Sequence, residues 1–313
     1  MWTDEMVRTV NTSDGHVVVI GTVGIDDIAT PQDHAVGVLG GSATYASLAS
    51  RLFARSTLSS VVGTDFPSDH EALLRDHSIN LSGLERAEGK TFRWGGRYES
   101  NMNIRETTFV DLNVLRDFDP TVPEHVTVGS FVFLGNTDPA IQLRVLEQVE
   151  DPRFVLADSM DFWIQSDWDR LATVVQRCTC VVLNDEEIRL FGRDSNIPRA
   201  AHNILSMGPS SVVVKRGEYG ALLADQEGWF FAPGYPLGEV IDPTGAGDAF
   251  AGAFLGSLAE AGTSDALALR RAVVYGSVVA SFTVEAFGVS RLADLTRDEV
   301  NTRYAEFSEF VAF

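Results

Sequence analysis

Apolar and polar residues along this chain are arranged in blocks that predict strands and helices in turn. Apolar runs of strand length recur at 16–29, 56–66, 130–136, 153–159 and 180–187. Most are followed by residues with the spacing of an amphipathic helix, as at 38–53 after a Gly-Gly turn. Because such strand–helix units build a mainly parallel sheet covered by helices, we predict an α/β fold with sites at the carboxyl ends of the strands.

Three further stretches complete the pattern. Residues 211–224 predict a strand, a turn and a second strand, and the last helix is predicted at 266–288, where a glycine ends it. Residues 90–112 alternate instead with a period of two and are interrupted by polar turn residues. This stretch predicts a pair of strands with both faces in solvent, which form an exposed sheet or a lid.

Composition and charge restrict the partners. With 313 residues, 45% of them apolar, the chain can bury a sizeable core, either as one large domain or as one domain with a smaller appendage. The formal charge of −20 argues against nonspecific binding of nucleic acid or of anionic membranes. No apolar run is long enough to span a bilayer, and residues 1–15 lack a signal-peptide core, so we expect a cytoplasmic protein.

The stretch Asp-Pro-Thr-Gly-Ala-Gly-Asp at 242–248 places an acid in a glycine-rich turn before a predicted helix. Such turns bind anions, because free backbone N–H groups and the positive end of the helix dipole meet there. Phosphoryl transfer to a hydroxyl reconciles the acid with an anion. The N–H groups of Gly245, Ala246 and Gly247 would stabilise the transferring phosphate, while the Asp248 carboxylate accepts the hydroxyl proton as general base.

Other interpretations of this turn fit less well. A P-loop requires a lysine after its last glycine, and the turn contains none. A dinucleotide fingerprint requires a third glycine where Phe250 stands, and Asp248 would then face a pyrophosphate. An ordinary tight turn explains the glycines but not the acid. Phosphoryl transfer is therefore the preferred hypothesis.

Taken in order, the motifs of the chain resemble those of the ribokinase-like, or PfkB, family of carbohydrate and nucleoside kinases. DPTGAGDAF at 242–250 is similar to the C-terminal signature of the family, and GGSATYAS at 40–47 to its N-terminal signature. NDEE at 184–187 resembles its Asn-x-x-Glu motif, and KRGEYG at 215–220 its nucleotide-side turn. The resemblance covers nearly the whole chain.

This resemblance implies an architecture and a set of cofactors. Residues 1–313 would form one ribokinase-like kinase domain, a three-layer sandwich around a mainly parallel sheet. A small β lid would be formed by about 28–38 and 90–112. ATP and Mg²⁺ are the expected cofactors, with K⁺ as a further monovalent cation, and the phosphate acceptor would be a hydroxymethyl group.

The resemblance also implies roles for individual residues. Acceptor-binding residues are expected on the first strand, in the Gly-Gly signature, in the lid and beneath the substrate, namely Asp26, Gly40, Gly41, Tyr45, Phe92 and Asn136. ATP-binding residues are expected at Asn184, Lys215, Gly217, Ser281 and Gly288. Cation-binding residues are expected at Glu187, which would hold Mg²⁺ through water, and at Asp242 and Thr244, which would hold the monovalent cation.

Two positions leave alternatives open. Tyr45 stands where many family members carry an asparagine that holds the sugar, so specificity for ribose or fructose is not implied. Its side chain either suits a larger acceptor or packs between helices. Asp158, at a strand end, either contacts phosphate or metal-bound water or caps the next helix.

The aromatic residues of the predicted lid leave a third choice. Phe92, Trp94 and Tyr98 are spaced to share one strand face, and Arg93 and Arg97 fall on the other. The aromatic face would stack on a nucleobase, cover a sugar site from water, or pack against a second subunit, since lid sheets of this family often pair in homodimers.

We therefore expect ATP-dependent phosphoryl transfer to a small sugar or sugar derivative, with a nucleoside as the alternative acceptor. An alternative of another class is a non-catalytic sensor that binds a sugar or a nucleotide. The presence of Asp248, Asn184 and Glu187 argues against the sensor, and Phe250 argues against an NAD-dependent dehydrogenase.

Overall fold

The computed structural model describes residues 15–312, in which the strands form a nine-stranded sheet and a four-stranded second sheet. The strands of the large sheet are β1 (His16–Ile20), β4 (Arg55–Gly63), β5 (Asn80–Ala87), β8 (Phe131–Leu134), β9 (Phe154–Ala157), β10 (Cys180–Asn184), β11 (Ser211–Lys215), β12 (Ala221–Asp225) and β13 (Gly228–Ala232). The strands of the second sheet are β2 (Gly24–Ala29), β3 (His34–Gly40), β6 (Phe92–Tyr98) and β7 (Arg105–Asp111).

Helices connect most of these strands. They are α1 (Ser42–Ser50), α2 (Ser68–Asp76), α3 (Pro139–Gln148), α4 (Asp161–Ser166), α5 (Trp168–Val175), α6 (Asp185–Phe191), α7 (Ile197–Leu205), α8 (Ala246–Ala261), α9 (Ala266–Thr283), α10 (Ser290–Asp294) and α11 (Arg297–Phe310). Short 3₁₀ turns lie at 113–117, 124–126 and 217–219.

The large sheet has the order β13-β12-β11-β10-β9-β8-β1-β4-β5. Its strands are parallel from β11 to β5, and β12 and β13 add an antiparallel edge. Because β1 lies between β8 and β4, the direction in which strands are added reverses there, and ligands bind at such a switch point.

Side chains of the large sheet alternate between two layers of helices. Val17 and Val19 of β1 pack into the same hydrophobic core as residues of α1, α8 and α9. Val18 and Ile20 pack on the opposite face, in a second core that includes residues of α3 and α5. Parallel strands buried on both faces are apolar along their whole length, which is why the strand runs stand out in the sequence. The predicted α/β sandwich is confirmed.

Helices α1 and α8 approach so closely that small residues line their contact. A Cβ atom at Gly252 would overlap the Ala46 backbone, and one at Gly256 would lie 3.0 Å from the Ser50 Cα. Since both contacts advance in the same direction along the two helices, α1 and α8 run parallel. Their N-termini, preceded by Gly41 and Gly245, therefore lie at the same end of the molecule.

The second sheet has the order β3-β2-β6-β7. The strand pair predicted at 90–112 is present as β6 and β7, and 28–38 covers parts of β2 and β3. The expectation that both faces of the pair are in solvent is wrong for β6. Phe92 packs against an apolar cluster that includes Val61 and Leu115, and Tyr98 is buried. The function of this sheet as a lid stays a prediction.

Two predicted elements differ from the structure. Residues 16–29 form two strands in different sheets, because the chain leaves the large sheet after Ile20. The turn is held by two hydrogen bonds, from the Ser42 N–H to the Thr22 hydroxyl at 2.9 Å and from the Thr22 N–H to the Ser42 hydroxyl at 3.0 Å. The helix predicted to end at Gly288 ends at Thr283, and α10 and α11 follow it. Thr296 and Glu299 form a capping box at the start of α11, a sequence signal that was overlooked.

Among residues 15–312, no helix combines the length and the apolar character that crossing a membrane requires.

The contact between α1 and α8 predicts the sign of a stability change. Helix propensity alone predicts that Gly252→Ala stabilises the protein by about 1 kcal/mol. Because the new methyl group would overlap the Ala46 backbone, we expect instead a loss of about 1–3 kcal/mol in the free energy of unfolding. Urea denaturation measures this change. Gly256→Ala, with its looser contact, should lose less, and a stabilised Gly252→Ala would contradict the packing argument.

Candidate active site

Three polar residues meet where neighbouring parallel strands of the large sheet end. Asn184 and Lys215 are register partners at the ends of β10 and β11, and Asp158 follows the end of β9. The Lys215 Nζ donates to the Asp158 Oδ2 at 2.8 Å, and both side chains are largely buried. Although burial opposes a charge there, Asp158 and Glu187 raise the pKa of Lys215. Lys215 is thus held as a cation at the carboxyl end of its strand. The helix-capping alternative for Asp158 is wrong, because the N-cap position of α4 is occupied by Met160, and no side chain caps that helix.

Asn184 and Glu187 fix the N-terminus of α6. The Asn184 Oδ1 accepts from the backbone N–H of Glu187 at 2.8 Å, and the Glu187 Oε2 accepts from the backbone N–H of Asn184 at 2.8 Å. This reciprocal pair is a capping box, so the Asn-x-x-Glu spacing has a structural function in any case. Burial raises the pKa of Glu187 to about 7, and the Asp158 charge adds to the rise.

The glycine-rich turn precedes α8 and faces Lys215. Gly245 has a φ of 75°, and a side chain there would run into the Tyr45 ring, so glycine is required twice over. A Cβ atom at Gly247 would lie 3.1 Å from the Lys215 Nζ. The Ala246 N–H points to the Pro243 carbonyl at 3.3 Å, which leaves it less available to an anion than predicted.

Asp248 lies in the first turn of α8, half-buried beside this lysine. Burial raises its pKa to about 7, the Asp158 charge raises it further, and Lys215 and Arg105 oppose the rise. A carboxylate that titrates near neutral pH suits general base chemistry. The predicted catalytic residue therefore lies at a helix N-terminus and within electrostatic reach of a lysine.

Asp242 ties this turn to the chain after α9. Its carboxylate accepts from the backbone N–H of Thr244 at 2.9 Å and from that of Gly288 at 2.9 Å. Gly288 has a φ of 58°, a backbone conformation that favours glycine. This conformation lets its N–H reach Asp242, and no helix ends at Gly288. Burial raises the pKa of Asp242, and both hydrogen bonds oppose the rise.

Ser281 lies on α9, away from these contacts. Its hydroxyl donates to the Val278 carbonyl at 2.7 Å and accepts from Arg303 at 3.0 Å. The predicted contact of Ser281 with ATP therefore stays a prediction.

Asp26 of β2 brings the second sheet to the same place. A side chain at Gly40 would overlap the Asp26 carboxylate, which explains one glycine of the Gly-Gly signature. Asp26 is 3% exposed, and burial together with the charges of Asp242 and Asp248 raises its pKa to about 8. The predicted acceptor-binding acid and the predicted base therefore lie within electrostatic reach of each other.

Three other predicted acceptor residues have packing contacts. Tyr45 is 1% exposed and packs under Gly245, and its hydroxyl has no hydrogen-bond partner in the described part of the chain. Burial and the charges of Asp242 and Asp26 raise its pKa well above the usual range. The Phe92 ring lies beside Gly24 in an apolar cluster. The Asn136 amide contacts the Met160 Sδ at 3.1 Å, and its Oδ1 is buried without a partner among residues 15–312.

Contacts of the second sheet were missed from the sequence. The Tyr98 hydroxyl lies 3.0 Å from the Thr244 Oγ1, which joins β6 to the glycine-rich turn. Trp94 is the register partner of Asp26 and therefore shares its sheet face. The period-two pattern at 92–98 predicted that Phe92, Trp94 and Tyr98 share a face, but it did not predict that β6 pairs with β2.

The charges at the site fit a nucleotide with its metal ion. The charges of Asp158, Glu187 and Asp248 all act on one lysine. Burial is the main cause of the raised pKa values of Glu187 and Asp248, and a bound cation would favour their ionised forms. Within residues 15–312 no group of three or more His, Cys, Asp or Glu side chains is arranged to hold a metal ion by itself. Mg²⁺ bound with phosphates needs few protein ligands.

Comparisons with known proteins agree with these motifs. The pattern of the pfkB family of carbohydrate kinases matches residues 14–295. A cytidine kinase of Thermococcus kodakarensis is 29% identical over 246 residues, which are 76% of this chain and 87% of that kinase.

Two solved structures have the same fold. The nucleoside kinase of Methanocaldococcus jannaschii, an archaeal member of the ribokinase family, has a TM-score of 0.76 at 22% identity and covers 94% of this chain and 99% of its own. An E. coli protein assigned as a ribokinase II, in complex with ATP and Mg²⁺, has a TM-score of 0.75 at 19% identity and covers 94% and 99%. The match over 14–295 and the ribokinase fold lead to one conclusion: this chain belongs to the pfkB family and is a carbohydrate or nucleoside kinase.

Proposed function

We propose that this kinase transfers the γ-phosphate of ATP to the primary hydroxyl of a nucleoside. The observation that carries the mechanism is the position of Asp248, which lies in the first turn of α8, behind Gly245–Gly247 and next to Lys215. The nucleoside is preferred to the simple sugar expected first, because the cytidine kinase and the nucleoside kinase resemble this chain over most of its length.

Asp248 acts as the general base. In the transfer, the acceptor oxygen forms a bond to the γ-phosphorus as the bond to the β-phosphate oxygen breaks, and the hydroxyl proton passes to the Asp248 carboxylate. The N–H groups at the start of α8 lack intrahelical acceptors and stabilise the charge on the transferring group. Lys215 adds a fixed positive charge beside Gly247.

The nucleoside and ATP bind to different elements of the fold. Asp26 accepts hydrogen bonds from ribose hydroxyls, and its sheet face also carries Trp94. Asn184, Glu187, Lys215 and Gly217 lie on the ATP side, where Mg²⁺ would balance the phosphate charge and Glu187 would hold it through water. Binding of K⁺ near Asp242 and Thr244, and pairing of second sheets in a homodimer, remain further proposals.

An acceptor panel tests this proposal. The purified protein is incubated with Mg²⁺, K⁺ and ATP and with cytidine, other nucleosides, ribose or fructose, and acceptor-dependent ADP release is measured. We expect release with a nucleoside. Release with a sugar alone would overturn the nucleoside assignment, and ATP binding without release under any acceptor would favour the non-catalytic sensor.

Asp248→Asn should remove the base while the fold is kept. We expect acceptor-dependent ADP release to fall by about 10²–10⁴-fold, the usual contribution of general base catalysis, with no change in melting temperature. Asp265→Asn is the matched control, because Asp265 caps the next helix, where asparagine caps equally well. Near-normal turnover of Asp248→Asn would contradict the assigned mechanism.

The pH dependence follows from the raised pKa of Asp248. Because burial raises that pKa to about 7 and the base acts when deprotonated, kcat/KM should increase with pH and level off above about pH 7. Below that value kcat/KM should fall about tenfold per pH unit. Initial rates at subsaturating acceptor measure the profile, and a flat profile between about pH 5.5 and 8 would be incompatible with this base.

Asp158→Asn should move that profile. Burial is the main cause of the raised pKa of Asp248 and the Asp158 charge is the next, so removing the charge lowers the pKa. We expect the acidic limb of the profile to shift down by on the order of one pH unit. Asp161→Asn, an exposed acid on the following helix, is the control and should leave the limb in place. An unshifted limb in Asp158→Asn would show that Asp158 does not act on the base.

A further inference from the structure

Strand β13 (Gly228–Ala232) forms a free edge of the large sheet. In the described part of the chain it pairs with β12 alone, through five consecutive register partners without an irregularity. Among residues 15–312 no backbone hydrogen bond joins its other side to a loop or a helix. A row of N–H and C=O groups along that side is therefore available to another strand.

The other edge strands of the described residues have features that hinder pairing. Proteins commonly protect a sheet edge with charged side chains or with bulges. At the opposite edge of the large sheet, β5 carries Glu85 and Arg86 and shifts register against β4. In the second sheet, β7 carries Glu106 and Asp111 and shifts register against β6, and β3 shifts register against β2. By contrast, β13 has the sequence Gly-Trp-Phe-Phe-Ala, with neither a charge nor a bulge.

Two aromatic side chains of β13 are exposed beside α7. Trp229 and Phe231 are register partners of β12 residues that pack against α7. Because directly opposed residues share a sheet face, Trp229 and Phe231 extend that face beyond the helix. They are 40% and 65% exposed, and a groove of about 400 Å³ lies between α7 and Trp229. Phe230 belongs to the other face and packs against the main core. An exposed apolar patch of this kind is typical of an interaction site.

The shape of this edge suits a second copy of β13. In an antiparallel pair with a two-fold axis at Phe230, each Trp229 would lie opposite Phe231 of the partner subunit, on one sheet face. Because α7 lies over β11 and β12 and strands are about 4.8 Å apart, the two α7 helices would be roughly 19 Å apart. Between helices of about 10–12 Å diameter this leaves a gap of about 8 Å, which the four aromatic side chains would fill.

The charges at the two ends of β13 are complementary in the same arrangement. At the amino end, Glu227 is exposed in the turn before the strand. At the carboxyl end, the turn after β11 lies against Ala232 and contains Arg216, which forms no ion pair within 4.0 Å among residues 15–312. Glu218 of that turn accepts from the tip of the β6–β7 hairpin instead. Antiparallel pairing would bring the Arg216 end of one copy towards the Glu227 end of the other, whereas parallel pairing would bring like charges together.

The exposed aromatic area approaches what a dimer needs. Tyr219, in the turn that lies against Ala232, is 66% exposed. At about 200 Å² for a whole aromatic side chain, the exposed parts of Tyr219, Trp229 and Phe231 in two copies amount to about 700 Å². Stable interfaces bury roughly 1,200–2,000 Å², and the strand backbone and the side chains of α7 would contribute the rest.

We propose that two copies of this chain associate through β13 and join their nine-stranded sheets into one sheet of eighteen strands across a two-fold axis. Each copy uses the same surface, as in closed dimers. The formal charge of −20 on each copy opposes association, and an uncharged strand is where two copies approach at least cost. This interface is separate from the second sheet and goes beyond the proposed catalytic function.

Sedimentation velocity tests the proposal between about 1 and 100 µM protein. The wild type should dimerise, and salt raised from about 0.1 to 1 M should tighten the dimer by about threefold or more, because it screens the repulsion. Phe231→Glu should weaken the dimer by about tenfold or more, because it brings two acids to the interface. Val128→Glu is the matched control, since Val128 is 63% exposed and lies outside the strands, and it should associate like the wild type.

A disulfide tests the register. Phe230 lies opposite itself across the proposed axis, so Phe230→Cys should link two copies in the presence of oxidised glutathione. Phe231→Cys should not, because its two copies would be about 8 Å apart, and the native Cys178 and Cys180 are buried.

Three results would overturn the proposal: a wild type that stays monomeric over this concentration range, Phe231→Glu that associates like Val128→Glu, or a disulfide in Phe231→Cys but not in Phe230→Cys. If Phe230→Cys failed to fold, the comparison of Phe231→Glu with Val128→Glu would still decide, because both of those positions are exposed.

Discussion

The active site depends on how closely helices α1 and α8 approach each other. Gly252 and Gly256 let the backbone of α8 contact that of α1, and the parallel direction of the helices brings both N-termini to one place. Tyr45 of α1 then packs under Gly245, so α1 supports the turn that we propose stabilises the transferring phosphate. The small residues of these helices therefore set the geometry of the proposed catalytic turn.

Enclosed charge is the second property that organises the site. Asp26 of the second sheet lies within electrostatic reach of Asp242 and Asp248 in the glycine-rich turn, and burial together with these charges raises the pKa of Asp26 to about 8. At the carboxyl ends of β9–β11, the charges of Asp158 and Glu187 act on Lys215. The free protein thus contains carboxylates whose ionised forms are disfavoured. Substrates that bring cations and hydrogen-bond donors would relieve this cost, which would link binding to ionisation of the proposed base.

Several errors of sequence interpretation have one cause: a local pattern does not state which sheet or helix it belongs to. The apolar run at 16–29 is continuous in sequence, yet the first half lies in the large sheet and the second half in the second sheet. Gly288 resembled the end of a helix because glycine often stands there, whereas its positive φ serves a hydrogen bond to Asp242, 46 residues away. The Asn-x-x-Glu motif was recognised, but its capping geometry was apparent only when both hydrogen bonds could be measured.

The ordered motifs of the sequence were enough to identify the family through their resemblance to it, and the apolar runs were enough to predict the α/β fold. The fold could be predicted because parallel strands buried on both faces are continuously apolar. The acid in the glycine-rich turn stood out because an acid at a helix N-terminus has few uses. Only the tertiary structure decided that Lys215 pairs with Asp158, that Tyr98 contacts Thr244, and that Asp26 and Trp94 are register partners. These contacts join residues from 57 to 146 positions apart, or depend on strand register, and neither property is encoded in local periodicity.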